Sequence, residues 1–372
     1  MNQIISIQKT PLFLLLVVII SCLGLIACGD NNGSDQEEDS FDRGAFLEAV
    51  ADNLIIPNFE TLQNSVDALS TASEAFLQNP NETNLETLRS SWRQAVIDHQ
   101  HCSAFGFGPA QLLLGDYASV LGVFPANEAK IEAFLLDPAF DLGNSFDRDI
   151  RGFYGVEYLI FGNGISDSEV IDRFDQNRKN YLSLLIDELK STFDTIVLEW
   201  NTSYRQEFTS NDGTSAGSPL SLFYNSFIKD YENLKNFKLE LPAGLTAGQD
   251  QADGSLVEAY YSGISKRLIF EHFENSKNIW FGLGRNGAES IGFEEYLKTV
   301  VGGQELVDQT ITALDQIDMA IATLPEGPLS ENLTSPEVVD LRDALQANTA
   351  NFKSSIVSLL GLTITFNSGD GD

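Results

Sequence analysis

The sequence contains 372 residues, of which 54 are acidic and 22 are basic, so the formal net charge at pH 7 is −32. This excess of acid argues against nucleic acid as a partner, because nucleic-acid binding relies on basic patches. Only three histidines are present, and the HExxH, CxxC and phosphate-loop motifs are missing from the sequence. A histidine-rich metal site and a Ser-His-Asp hydrolase are therefore not expected.

The first predicted element is an export signal over residues 1–27. The stretch PLFLLLVVIISCLGLIAC, residues 11–28, carries an apolar run of about 16 residues, slightly short for a spanning helix. Its end, LIAC, resembles the lipobox of bacterial lipoproteins, in which the chain is cut before the cysteine and a lipid is attached. The resemblance predicts lipid attachment at Cys28 and a membrane as partner, the other interpretation being an uncleaved anchor.

An acidic and polar segment, residues 28–40, follows the cleavage site and is predicted to be a disordered tether. Gly29, rather than an aspartate, follows the lipidated cysteine, and by resemblance to lipoprotein sorting rules this favours the outer membrane, on its periplasmic face or at the cell surface. With Cys28 lipidated, Cys102 is the other cysteine of the mature chain, so no internal disulfide is expected.

Helical periodicity dominates the remainder of the chain. A linker rich in Ser, Thr, Gly and Asn is predicted over residues 204–219. Few strand signals occur, so the sequence predicts an all-α protein of two helical bundles, residues 41–203 and 220–366. The predicted helices lie near residues 46–78 with a kink at Pro57, 84–103, 126–136, 148–162, 168–201, 220–241, 255–279, 293–324 and 335–360.

One carboxylate stands out in RGFYGVEYLIFGNG, residues 151–164, because Glu157 falls in a helix that is apolar nearly all round. A buried carboxylate is costly unless it is paired, hydrogen-bonded, protonated or bound to a cation. Tyr154 lies one turn earlier on the same face. The two side chains could offer oxygen ligands to a hard cation, or Glu157 could simply bond to a core partner such as Arg93.

Two further stretches carry candidate residues. His99 shares an apolar stripe with Trp92 and should face the interior, either as a ligand or as a satisfied core histidine. His101 falls on the far side of that helix and is expected to face solvent. In EAYYSGISKRLIFEHFE, residues 258–274, Glu258 and Ser262 share one helical arc, which is either a polar cleft wall or a tight helix seam.

An ordered set of phrases resembles the imelysin family of exported bacterial proteins. The stretch GFYGVEYLIFG, residues 152–162, corresponds to the phrase that carries the GxHxxE motif of that family. The stretch SSWRQAVIDHQHCSAFGFGPA, residues 90–110, resembles the earlier helix with a tryptophan and an AFxFGP ending. The phrases LPAG at 241–244, EAYYSGIS at 258–265 and GFEEYL at 292–297 follow in the family order.

The resemblance implies two helical bundles related by approximate internal symmetry, with a site between them, and a link to iron uptake or its regulation. Some members have been described as metallopeptidases. Carried over by position, the motif glycine is Gly152 and the glutamate is Glu157, whereas Tyr154 stands at the histidine position. An acid often found before AFxFGP is Ser103 here. A neutral phenol is a poor zinc ligand, although ferric iron could deprotonate it, so peptidase activity is not expected.

Three hypotheses follow. The first is a lipid-anchored binding protein linked to iron or metal acquisition or regulation, with its site between the bundles. It would bind ferric or ferrous iron or another divalent cation, or partner proteins of iron uptake. The second is a metal-dependent peptidase, and the third is a surface scaffold without a small ligand. The first predicts Glu157, Tyr154 and His99 as metal ligands, and Gly152, Arg93, Ser103, Glu258 and Ser262 as cleft residues.

Overall fold

The computed structural model describes residues 41–112, 121–136, 142, 147–285, 287–288 and 290–365. Its regular structure is helical, with no β-sheet in this part of the chain, which confirms the predicted all-α class. The predicted signal peptide, the tether and the lipid site at Cys28 lie outside the described residues. Among the helices that are described, none is both long and apolar enough to cross a membrane.

The helices fall along the chain in two runs on either side of residues 210–218. The first run contains α1 Arg43–Val50, α2 Ile56–Gln78, α3 Glu82–Gln100, α4 Pro109–Leu112, α5 Glu128–Leu135, α6 Gly152–Phe161, α7 Asp167–Asp172, α8 Gln176–Glu199 and α9 Arg205–Thr209. The second run contains α10 Pro219–Lys235, α11 Leu241–Ala243, α12 Ser265–Phe281, α13 Phe293–Lys298, α14 Gly303–Ala322, α15 Pro336–Ala350 and α16 Val357–Leu360.

Shorter helical segments connect several of these helices. The π-helical segments of the described chain are Ala51–Ile55, Trp200–Tyr204, Asn236–Glu240 and Asn351–Ile356. The first of them ends two residues before Pro57, where a kink was predicted and where a proline lacks the backbone donor that would bond to the preceding turn. Short 3₁₀ turns occupy Ser103–Phe105, Arg148–Ile150, Gly254–Leu256 and Leu329–Glu331.

Three predicted helices have different bounds in the structure. The helix predicted over 168–201 is divided, because Asp175 caps α8 by accepting a hydrogen bond from the backbone of Arg178 at 2.9 Å. The helix predicted over 293–324 is interrupted at Gly302, whose φ of +82° is left-handed. The helix predicted from residue 255 begins only at Ser265, and residues 257–264 form a turn instead.

The core forms where these helices pack side by side. In the first run α2 packs against α3 and α8, and α6 lies between α3 and α8. In the second run α14 packs against α13 and α15. The end of α3 contacts α12, and the 3₁₀ turn Ser103–Phe105 contacts α10. This junction between the two runs of helices is where the buried polar residues converge.

All the described residues belong to one compact unit. The predicted linker begins with helix α9, whose Phe208 is fully buried, and the irregular part is confined to residues 210–218. The division into two bundles and their internal symmetry stay predictions.

Candidate functional site

Helix α6 lies in the centre of the protein, with every residue from Gly152 to Ile160 buried. It begins at Gly152, where φ is +64° and a Cβ atom would come within 2.0 Å of the backbone of Leu121, so no other residue fits there. The indole of Trp92 on α3 donates a hydrogen bond of 2.8 Å to the carbonyl oxygen of Phe153. These contacts fix where the side chains of α6 point.

Glu157 is buried, as predicted, with 2% of its surface exposed. Its Oε1 accepts a hydrogen bond of 2.8 Å from the backbone N–H of Ser262 in the turn 257–264. Burial raises the pKa of Glu157 to about 8 in spite of that bond, and the nearby charge of Glu258 raises it further. At neutral pH this side chain is therefore mostly a carboxylic acid.

Arg93 does not reach this acid. Its Nη1 lies 2.8 Å from Glu86 Oε1, and its guanidinium group lies over the ring of Phe161, 5.1 Å from the centroid. The proposed pairing of Arg93 with Glu157 was therefore wrong, because Arg93 lies on the outer side of α3.

Glu258 is the second buried acid, and it comes from the turn 257–264. The next residue, Ala259, has a φ of +54°, a conformation that costs free energy for any residue with a Cβ atom. Glu258 Oε1 accepts hydrogen bonds from the hydroxyl of Tyr154 at 2.6 Å and from Gln100 Nε2 at 3.2 Å. The turn 257–264 thus places the Glu258 carboxylate against the side of α6 that carries Tyr154.

A lysine completes this group of side chains. Lys238 lies in the π segment Asn236–Glu240, and its Nζ is 2.8 Å from Glu258 Oε2 and bonded to Gln100 Oε1. Burial alone would raise the pKa of Glu258, but the charge and hydrogen bond of Lys238, with the Tyr154 hydroxyl, hold that pKa below its ordinary value. Glu258 is therefore a carboxylate beside a neutral Glu157.

We call these five residues the acid cluster: Glu157, Glu258, Tyr154, Gln100 and Lys238. They come from α3, α6, the π segment and the turn 257–264. Burial, and then the charge of Glu258, raise the pKa of Tyr154 well above its ordinary value, so the phenol stays protonated and donates to Glu258. The cluster contains one carboxylate, one ammonium group and two neutral acids.

A histidine pair lies next to the acid cluster. The ring of His99 packs 5.4 Å from that of Phe153, and burial together with the charge of Lys238 lowers the pKa of His99 to about 4. His272 Nε2 lies 2.8 Å from Asp230 Oδ2. Ser103 Oγ donates to the same Asp230 oxygen at 3.0 Å, so an acid from α10 occupies the region where the family pattern places one at position 103.

The prediction that His101 faces solvent was wrong. It is buried, and its Nε2 lies 2.7 Å from Glu271 Oε2. His101 caps the C-terminus of α3, and its side of the helix is covered by α12, which carries Glu271. Sequence reasoning also missed Gln100, Lys238 and Asp230, although Lys238 lies three residues before the LPAG phrase.

The donor atoms of this region do not fit a resident metal ion. No group of three or more His, Cys, Asp or Glu side chains in the described ranges is arranged to hold one. The predicted ligand Tyr154 already donates its proton to Glu258, and Lys238 contributes a positive charge 2.8 Å from the same carboxylate. A divalent ion about 4 Å from an ammonium group would be repelled by roughly 8 kcal/mol at an effective dielectric constant of about 20.

A surface groove of about 410 Å³ lies on the solvent side of the turn 257–264. Tyr261 lines the groove and packs its ring 5.2 Å from that of Tyr158 on α6. The groove is lined by Pro125, Ala126, Asn127, Glu128, Ala129, Asp149, Asn163, Ser255, Tyr260 and Tyr261. Its Tyr260 and Tyr261 belong to the same turn as Glu258 and Ser262, but the predicted cleft residues Glu258 and Ser262 do not line it.

Comparisons with known proteins agree on one family. A family model described as Imelysin matches residues 55–356. Iron-regulated protein A of Synechococcus elongatus is 21% identical over 332 residues, which cover 84% of this chain and 86% of that protein.

Two solved structures share the fold. A protein from Parabacteroides distasonis named as an iron-regulated protein A precursor superimposes with a TM-score of 0.71 at 18% identity, covering 85% of this chain and 95% of the other. An imelysin-like protein from Psychrobacter arcticum 273-4 has a TM-score of 0.68 at 18% identity, covering 87% and 97%.

Proposed function

Because this chain belongs to the imelysin family, we propose that it serves iron acquisition or its regulation, as a binding protein whose site is the cleft beside the acid cluster. The family and a curated relative named for iron regulation support the iron-related role. In the described ranges no group of three or more His, Cys, Asp or Glu side chains could hold the metal of a peptidase, Tyr154 stands at the histidine position, and Lys238 neutralises Glu258. The proposal therefore contains no hydrolytic step.

The acid cluster is the observation that carries the proposal. Taking two carboxyl groups and a lysine out of water costs free energy that apolar residues of similar volume would not cost. The left-handed Ala259 adds a further cost next to Glu258. Shifts of opposite direction in the pKa values of neighbouring acids, as for Glu157 and Glu258, are typical of functional sites. A core built for stability alone has no need of this arrangement.

The membrane anchor is the second part of the proposal. We propose that the chain is cut before Cys28, lipidated there and held at the outer membrane by the tether 28–40. Labelling of cells with a radioactive fatty acid should mark the wild-type protein and leave Cys28→Ser unlabelled and released from the membrane fraction. Equal membrane association of the two proteins would contradict lipid anchoring.

Growth of cells under iron limitation tests the functional role. A strain without this protein is complemented with the wild type, with Glu157→Gln, with Glu258→Gln or with Glu305→Gln, the last being an exposed glutamate of α14. Both cluster variants should fail to restore growth or iron content, while Glu305→Gln restores both at equal protein abundance. Full restoration by the cluster variants would assign the site elsewhere.

A further inference from the structure

We propose that Lys238 is the built-in cation of the acid cluster, so that its ammonium group occupies the place beside Glu258 that a metal ion would otherwise require. In this member of the family, the buried negative charge of the acid cluster is then compensated without a metal ion. The inference does not depend on the proposed role in iron acquisition, because it concerns only how the buried charge of Glu258 is compensated.

The contacts of Glu258 carry this inference. Its side chain is 3% exposed, and that of Lys238 is 8% exposed, so solvent does not screen either charge. Oε1 is occupied by Tyr154 and Gln100. Oε2 lies 2.8 Å from the Lys238 ammonium, which compensates its charge. Removing the ammonium would leave an unpaired carboxylate oxygen facing the emptied space.

The positive charges around the cluster make Lys238 the specific partner. His272, another basic side chain that influences the pKa of Glu258, lies 2.8 Å from Asp230 Oδ2. Gln100 accepts from Lys238 through Oε1 and donates to Glu258 through Nε2, so it binds both members of the ion pair and fixes their separation.

Lys238→Ala should therefore turn the cluster into a cation site. The variant leaves the Glu258 carboxylate buried next to a space the size of a lysine side chain, and a small cation from solution can fill that space. Lys235→Ala is the matched control: Lys235 is also buried, but it bonds to the side-chain amide of Gln346. Its removal opens a similar space and leaves no unpaired carboxylate.

The experiment measures thermal unfolding and bound metal for residues 29–372, with and without millimolar manganese, zinc or methylammonium chloride. Lys238→Ala should gain about 3–6 °C in Tm with at least one of these cations and retain roughly one ion per chain. The wild type and Lys235→Ala should gain nothing. The double variant Lys238→Ala with Glu258→Gln should be more stable than Lys238→Ala alone and should not respond to cations.

Two results would overturn the proposal. One is a divalent ion bound by the wild type at one per chain and lost in Glu258→Gln. The Glu258 carboxylate would then bind a metal ion in the presence of Lys238. The other is a Lys238→Ala variant that responds to no cation and is not stabilised by Glu258→Gln. If Lys238→Ala does not fold, Lys238→Met is compared with the double variant Lys238→Met with Glu258→Gln. Folding of the double variant supports the inference. Failure of both of these proteins to fold contradicts it.

Discussion

Replacing Glu157 with glutamine should make the stability of the protein much less sensitive to pH. Glutamine keeps a carbonyl oxygen that can accept the hydrogen bond from the backbone of Ser262, but it cannot ionise. In the wild type the pKa of Glu157 rises from the ordinary value of 4.5 to about 8 in the folded state. The folded protein therefore holds a proton that the unfolded chain has already released between these two pH values.

The sign of the effect follows from this difference in proton binding. The contribution of Glu157 to stability is fully present below pH 4.5 and is lost as the pH rises through about 8. Each pH unit in that window changes the free energy of unfolding by about 1.4 kcal/mol. Between pH 5 and pH 8 the wild type should lose about 3–4 kcal/mol relative to Glu157→Gln.

Chemical unfolding of residues 29–372, followed by circular dichroism at pH 5, 6, 7 and 8, measures this difference. Other titrating groups, including His99, are the same in both proteins, so they cancel when the two curves are subtracted. Glu305→Gln, at an exposed position, controls for the loss of one acidic charge. Parallel curves for the wild type and Glu157→Gln would refute the reasoning, because they would mean that Glu157 is already ionised when folded.

Three further predictions test the surroundings of the cluster. Trp92→Phe leaves a buried carbonyl oxygen of α6 without its donor and should lower the free energy of unfolding by about 1–3 kcal/mol in a denaturant titration. Gly152→Ala should prevent soluble expression because its Cβ collides with backbone, whereas Gly164→Ala, with a similar φ of +65° but open space around it, should cost only about 1 kcal/mol. His99, whose pKa falls to about 4, should keep a neutral imidazole NMR signal at pH 5.5. Its contribution to stability, present above pH 6.5, should fall by about 3 kcal/mol as the pH drops from 6.5 to 4.

The sequence predicted the parts of this protein that depend on local pattern. Apolar residues at helical spacing indicated an all-α fold, and the structure confirms it. The apolar surroundings of Glu157 within its own helix were enough to predict burial, because a helix that is apolar nearly all round has no face left for water. The ordered phrases identified the family, which the match over residues 55–356 confirms.

Two predictions made from helical periodicity were wrong. The wheel placed His101 in solvent, but that side of α3 packs against α12 and Glu271. A helix was predicted from residue 255, and this hid the turn 257–264 that carries Glu258 into the core. Periodicity describes side-chain direction only while the backbone remains helical, and it does not say which face of a helix another helix will cover.

The state of the acid at position 157 was decided by tertiary structure alone. The sequence left pairing, hydrogen bonding, protonation and cation binding open, because a helical pattern does not say which distant group will face a side chain. The partners of α6 at this site, Ser262 for Glu157 and Glu258 for Tyr154, lie 105 and 104 residues further along the chain. Lys238 lies in the π segment Asn236–Glu240. Folding brings these groups into one water-excluded space, where burial protonates Glu157 and the lysine keeps Glu258 charged.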